Sequence, residues 1–144
     1  MNNEIIDPAK KIKGEMLAAV LQDNINNKNN QPAMNKLENL DLFVNSLLNK
    51  DLQENLLHEN ILEVVRKWLE PLPDKSLPNI KIKKGLLEVL KNISINKSLL
   101  LESKVGVIVH FYMINPEESK EIRNMAKEVI YNWLNRVTKD DEEE

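Results

Sequence analysis

Residue types that perform chemistry are few and scattered in this chain. Its two histidines, His58 and His110, stand far apart, and neither belongs to an H-E-x-x-H pattern, so no zinc ligand set assembles locally. Cysteine is absent, which removes a thiol nucleophile, a disulfide framework and a Cys-based metal site. The three glycines, Gly14, Gly85 and Gly106, fall singly within helical patterns rather than in a phosphate-cradling loop. None of Ser46, Ser76, Ser94, Ser98, Ser103 and Ser119 has the surroundings of a nucleophile elbow. The carboxylates are abundant, but acid pairs on helix surfaces are ordinarily solvated. A non-catalytic protein without a cofactor is expected.

What the residues can do is bind. Phe111 and Tyr112 are adjacent aromatics, so on a helix they point to different faces and one is the more exposed. An exposed phenylalanine offers a flat apolar wall; a buried one is simply core. Trp68 and Trp133 sit at helical spacing with aliphatic neighbours and read as core. Lys81, Lys83 and Lys84 form a small basic cluster, read as a solvated helix face.

These residues must be carried by helices. From Pro32 onward apolar positions recur with helical spacing, as in Val44, Leu47 and Leu48, in Leu86, Leu87 and Leu90, and in Met125, Val129 and Trp133. Asp41, Asp51, Asn60, Asn79 and Asn96 stand where N-caps are expected. Asp7-Pro8 opens an earlier helix that runs to about Asp23. The asparagine-rich NINNKNNQ that follows reads as a linker. The expected fold is all-α with about eight helices. Its expected divisions are an N-terminal helix and linker (1–31), a helical domain (32–137) and an acidic tail (138–144).

A shift of about 43 residues places Leu56 on Leu99, Val65 on Ile108 and Trp68 on Phe111. A second shift superposes Val44, Leu87 and Ile130. The period matches HEAT and armadillo repeats of roughly 40–47 residues, whose units cover one another's apolar faces in a right-handed superhelix. Between the first and second units lies WLEPLPDKSLPNI (68–80), which holds three of the six prolines. Pro71, Pro73 and Pro78 push the residues before them extended. The loop thereby becomes a stiff strap pinned by Leu69, Leu72 and Leu77, with Asp74-Lys75-Ser76 at its exposed tip.

Charge and hydropathy narrow the partners. The chain carries 20 basic and 23 acidic residues, for a net charge of -3. The last five residues, Asp140, Asp141, Glu142, Glu143 and Glu144, contribute -5 to this, so the body is close to neutral and lacks a strong field for nucleic acid. No apolar run reaches the roughly 18 residues of a membrane span, and the N-terminus lacks a secretory signal pattern. A soluble, intracellular protein is expected. The alternative reading is a nucleic-acid or histone adaptor using basic helix faces and the acidic tail.

The stretch WLEPLPDKSLPNIKIKKGLLEVL (68–90) closely resembles the core motif of the transcription elongation factors that interact with the histone chaperone Spt-six, the Iws/Spn type. Residues 36–68 and 105–133 resemble the flanking helices of that domain, whose wider class is the N-terminal domain of elongation factor S-II, shared with elongin A and a Mediator subunit. The resemblance implies a nuclear helical bundle, monomeric before it binds a disordered N-terminal segment of the chaperone. It connects the chain indirectly with RNA polymerase II and nucleosomes. Carried over by position, it implies partner-binding roles for Lys36, Val107 and Phe111, with His110 and Tyr112 beside them. Lys36 would pair with an acidic or phosphorylated partner residue. At 107 the family commonly has a basic residue, and valine there implies a more apolar pocket.

Overall fold

A computed structural model describes residues 7–142, with the backbone alone described from 137 onward. Eight helices follow one another among the described residues: α1 (Pro8–Lys28), α2 (Asn35–Leu48), α3 (Lys50–His58), α4 (Ile61–Leu69), α5 (Ile80–Asn92), α6 (Lys97–Ser103), α7 (Val105–Ile114) and α8 (Lys120–Glu142). No strand occurs among them, and none of these helices is long and apolar enough to cross a membrane. The order α2, α3, α4 is answered by α5, α6, α7, with α8 taking the first place again. The expected repeat therefore corresponds to the observed elements.

Local chemistry sets most helix starts. Asp7 accepts a hydrogen bond from Ala9 N at 2.9 Å with Pro8 in the first position. Asn79 accepts from Lys81 N at 2.8 Å and Asn96 from Leu99 N at 2.8 Å, each satisfying an amide the helix leaves open. Two expected caps are corrected. Asp41 lies inside α2, and Asn49, two residues before Asp51, caps α3. Asn60 does hold the N-cap position of α4, in a left-handed conformation at φ 59° and without a side-chain hydrogen bond.

The largest correction concerns residues 24–31. Instead of ending near Asp23, α1 continues through Lys28. Asp23 is fully buried and accepts from Asn35 N at 2.8 Å and Lys36 N at 2.9 Å. It thus caps the start of α2 rather than the end of its own helix. Asn30, at φ 58°, supplies the left-handed turn that asparagine tolerates. Nor is α1 an appendage: Ala9, Met16, Ala19 and Val20 are buried against α2, α3 and α4.

The core forms where the helices meet. Trp68 is fully buried, its indole donating to Met16 O at 2.9 Å, and its ring lies 4.8 Å from that of Phe43. Gly85 lets α5 settle on α2, since a Cβ there would stand 3.4 Å from Leu40 and Val44 side-chain carbons. Across the α5–α8 seam run Lys84–Glu121 and Lys91–Glu128 ion pairs, both at 3.0 Å. Lys83, expected in solvent, is buried and bonds Glu118 at 2.8 Å. At the C-terminus the backbone of 138–142, expected as tail, belongs to α8; residues 143 and 144 lie outside the described residues.

Candidate partner-binding site

The sequence of α7, VGVIVHFYMI, is apolar almost all round, and such a helix is ordinarily enclosed. Here only one side is. Val105, Ile108, Val109 and Tyr112 face the core, while Val107 is 71% exposed, Phe111 36% and Ile114 58%. His110 is exposed on the same outward side. α4 and α8 pack along α7, but no described helix covers the side that carries Val107, Phe111 and Ile114.

Two cavities flank this open side. One, of about 280 Å³, lies between α4 and α7 and is lined by Arg66, Glu70, Pro71, Ile108 and Phe111. The other, of about 750 Å³, lies between α6, α7 and α8, with Leu101, His110, Ile130, Trp133 and Leu134 in its walls. Lys104 and Val107 line both. The strap contributes to the smaller cavity. Pro71 holds Glu70 extended at φ -69°, ψ 153°, and Arg66 fixes Glu70 by a 3.1 Å ion pair while donating to Ser103 O at 2.9 Å.

Of the five residues assigned to partner binding, the structure brings Val107, His110 and Phe111 together at the surface. Tyr112 is not exposed: it is fully buried, and its hydroxyl donates to Leu69 O at 2.6 Å. Burial, with the negative charge of Glu118 adding to it, pushes its phenol well up. Lys36 is likewise no free cation. It is 3% exposed, and its ammonium donates to Trp68 O at 3.3 Å. Desolvation lowers its pKa, opposed by the Asp23 carboxylate. Lys36 and Tyr112 therefore satisfy consecutive carbonyls at the end of α4, behind the site rather than in it.

Several lining residues were not singled out from sequence. Arg66 and Lys104 resemble any surface cation, and only the packing of α4 against α7 gives them a place. Ile130 and Leu134 did carry a signal, being apolar one turn apart beside Trp133. Trp68 and Leu69 are buried, Leu77 packs on the core, and Pro71 and Pro73 are exposed. Pro78 is buried. Among the described residues no group of three or more His, Asp or Glu side chains is placed to hold a metal ion.

Comparison with known proteins places the architecture. Residues 85–137 match the Med26 family, described as a TFIIS helical bundle-like domain. Among curated relatives, transcription factor iws1 of Schizosaccharomyces pombe is 35% identical over 133 residues, covering 92% of this chain and 31% of the relative. Protein IWS1 homolog 2 of Arabidopsis thaliana is 34% identical over 136 residues, 90% of this chain and 34% of that protein. The chain thus spans about a third of the length of these relatives. A chain in the crystal structure of a Spt6–Iws1(Spn1) complex from Encephalitozoon cuniculi superposes with a TM-score of 0.87 at 49% identity, covering 89% of this chain and 93% of that one. With such identity across nearly the whole of a solved relative, the chain belongs to the Iws1/Spn1 family of transcription factors.

Proposed function

We propose that this chain is a non-catalytic interaction module that binds a segment of Spt6 along the outward side of α7, in the nucleus and in the setting of transcript elongation by RNA polymerase II. The observation that carries the site is the unpartnered apolar side of α7 between two cavities, with Val107 and Phe111 exposed. An apolar patch of this kind, rimmed by polar residues, is where proteins meet partners. Support for the partner comes from the relative solved as a Spt6–Iws1(Spn1) complex. The bound segment is disordered when free and orders on the groove, its affinity concentrated in one or two aromatic or aliphatic anchors.

Within this reading Val107, His110 and Phe111 contact the partner, while Lys36 and Tyr112 hold the end of α4 behind them. Calorimetry with the N-terminal region of Spt6 tests it. Phe111→Glu should weaken binding by about 2 kcal/mol or more and leave the helical circular dichroism unchanged. Full binding by that variant would move the site elsewhere.

A further inference from the structure

The junction of the two cavities constrains what a segment bound along α7 must look like. Lys104 and Val107 line both cavities and so mark the ridge between them. A helix is about 10 Å across, and an extended chain covers that distance in roughly three residues. One short segment crossing the ridge can therefore place a side chain in each cavity.

The charges around the ridge are unevenly committed. Arg66 is occupied by Ser103 O, by Glu70 at 3.1 Å and by Glu63 at 3.8 Å. Lys104 is exposed, and among the described residues its ammonium has no hydrogen-bond or ion-pair partner. No acidic residue lies in the first turn of α7. The backbone of Lys104 is left-handed at φ 58°, ψ 21°, where glycine or asparagine sits at least cost and lysine is disfavoured. A residue in a costly conformation at the junction of two binding cavities points to a role for its side chain.

We propose that Lys104 is the specificity-determining cation of this site, reading an acidic side chain placed between two apolar anchors of the bound segment. The anchors fill the 280 Å³ and 750 Å³ cavities, about three or four residues apart, and the carboxylate between them meets the Lys104 ammonium over Val107. This rests on the α7 surface being the partner site, and it deepens that reading by stating the partner's chemistry. Because the ion pair is exposed, its effect on affinity is about two- to fivefold, larger at low salt.

Lys104→Gly and Lys104→Glu test the proposal with the intact chain. Glycine removes the cation and also the left-handed cost, so its melting temperature should rise while its binding to acidic peptides falls. A panel of displayed twelve-residue peptides, selected separately on wild type and each variant, reads the preference directly. Wild type should enrich an apolar pair with Asp or Glu between, Lys104→Gly should lose the acid, and Lys104→Glu should replace it by Lys or Arg. An acidic preference unchanged in Lys104→Glu overturns the role of Lys104, and if Phe111→Glu abolishes selection in the same experiment the groove itself still stands. Selection that survives Phe111→Glu, or that yields no apolar pair on wild type, overturns both.

Discussion

Phe111 and Tyr112 are chain neighbours whose rings lie edge to face, 5.4 Å apart, yet one meets solvent and the other is sealed in the core. Spacing alone required only that they part; the packing of α7 on α4 chose which goes inward. Tyr112 sits under the Lys83 ammonium, 5.7 Å from its ring centre, and its hydroxyl binds the Leu69 carbonyl. Its raised pKa has a consequence for stability. Below its unfolded value near 10 the phenol's contribution is fully present, and it is lost as pH rises above that, because the unfolded chain releases the proton first. Lys36 acts in the opposite sense: its lowered pKa means the folded state deprotonates first, so its cost is relieved as pH climbs toward 10.5. Tyr112→Phe leaves a buried carbonyl unpaired and should cost about 1 kcal/mol at neutral pH. Its urea midpoint should then fall less steeply than that of wild type above about pH 10. Parallel pH profiles for the two would exclude this linkage.

Among the elements, the strap shows how far local constraint reaches. Glu70 is extended because a proline follows it, and the tip is exposed, both legible from residue type. Pro73 starts a turn closed by Lys75 N donating to Leu72 O at 2.8 Å, with Lys75 left-handed at φ 72°. The Ser76 hydroxyl and amide both donate to the Asp74 carboxylate and hold it below the usual carboxylate range. Asp74 N in turn donates to Asn27 Oδ1 at 3.0 Å, a tie to α1 that no local pattern announces. Replacing Pro73 and Pro78 together by glycine should lower stability by about 1–2 kcal/mol, through the freedom gained by the unfolded chain and the lost burial of Pro78. An unchanged denaturation midpoint would show that the turn is held by its hydrogen bonds alone.

At the scale of the whole molecule, α1 begins the stack and α7 with α8 leaves it open. The two ends differ in kind: α1 helps bury Trp68 completely, whereas Phe111, its counterpart in the repeat, stays 36% exposed. A chain truncated to residues 32–144 would lose the acceptor of the Trp68 indole, the Asp23 cap of α2 and the burial of Met16, Ala19 and Val20. That should cost at least about 4 kcal/mol, a large share of an ordinary domain's stability. A thermal melt of the truncated chain checks this, and a cooperative transition at the wild-type temperature would restore α1 to the status of an appendage.

Helical periodicity, asparagine caps, proline-constrained backbone and the 43-residue recurrence follow from residue types within a few turns of one another. The all-α repeat and its strap were therefore written in the sequence itself, and the family resemblance lay in the same letters. Long-range packing decided the rest. It extended α1 through Lys28 into the asparagine-rich run, set buried Asp23 at the start of α2, and drew Lys36 and Tyr112 inward, where they donate to the carbonyls ending α4. It also brought Arg66 and Pro71, Lys104, and Trp133 to the rims of two cavities from three separate stretches of chain. Local constraints act through bonds and neighbouring turns; a binding surface depends on which distant side chains remain uncovered once the core has closed.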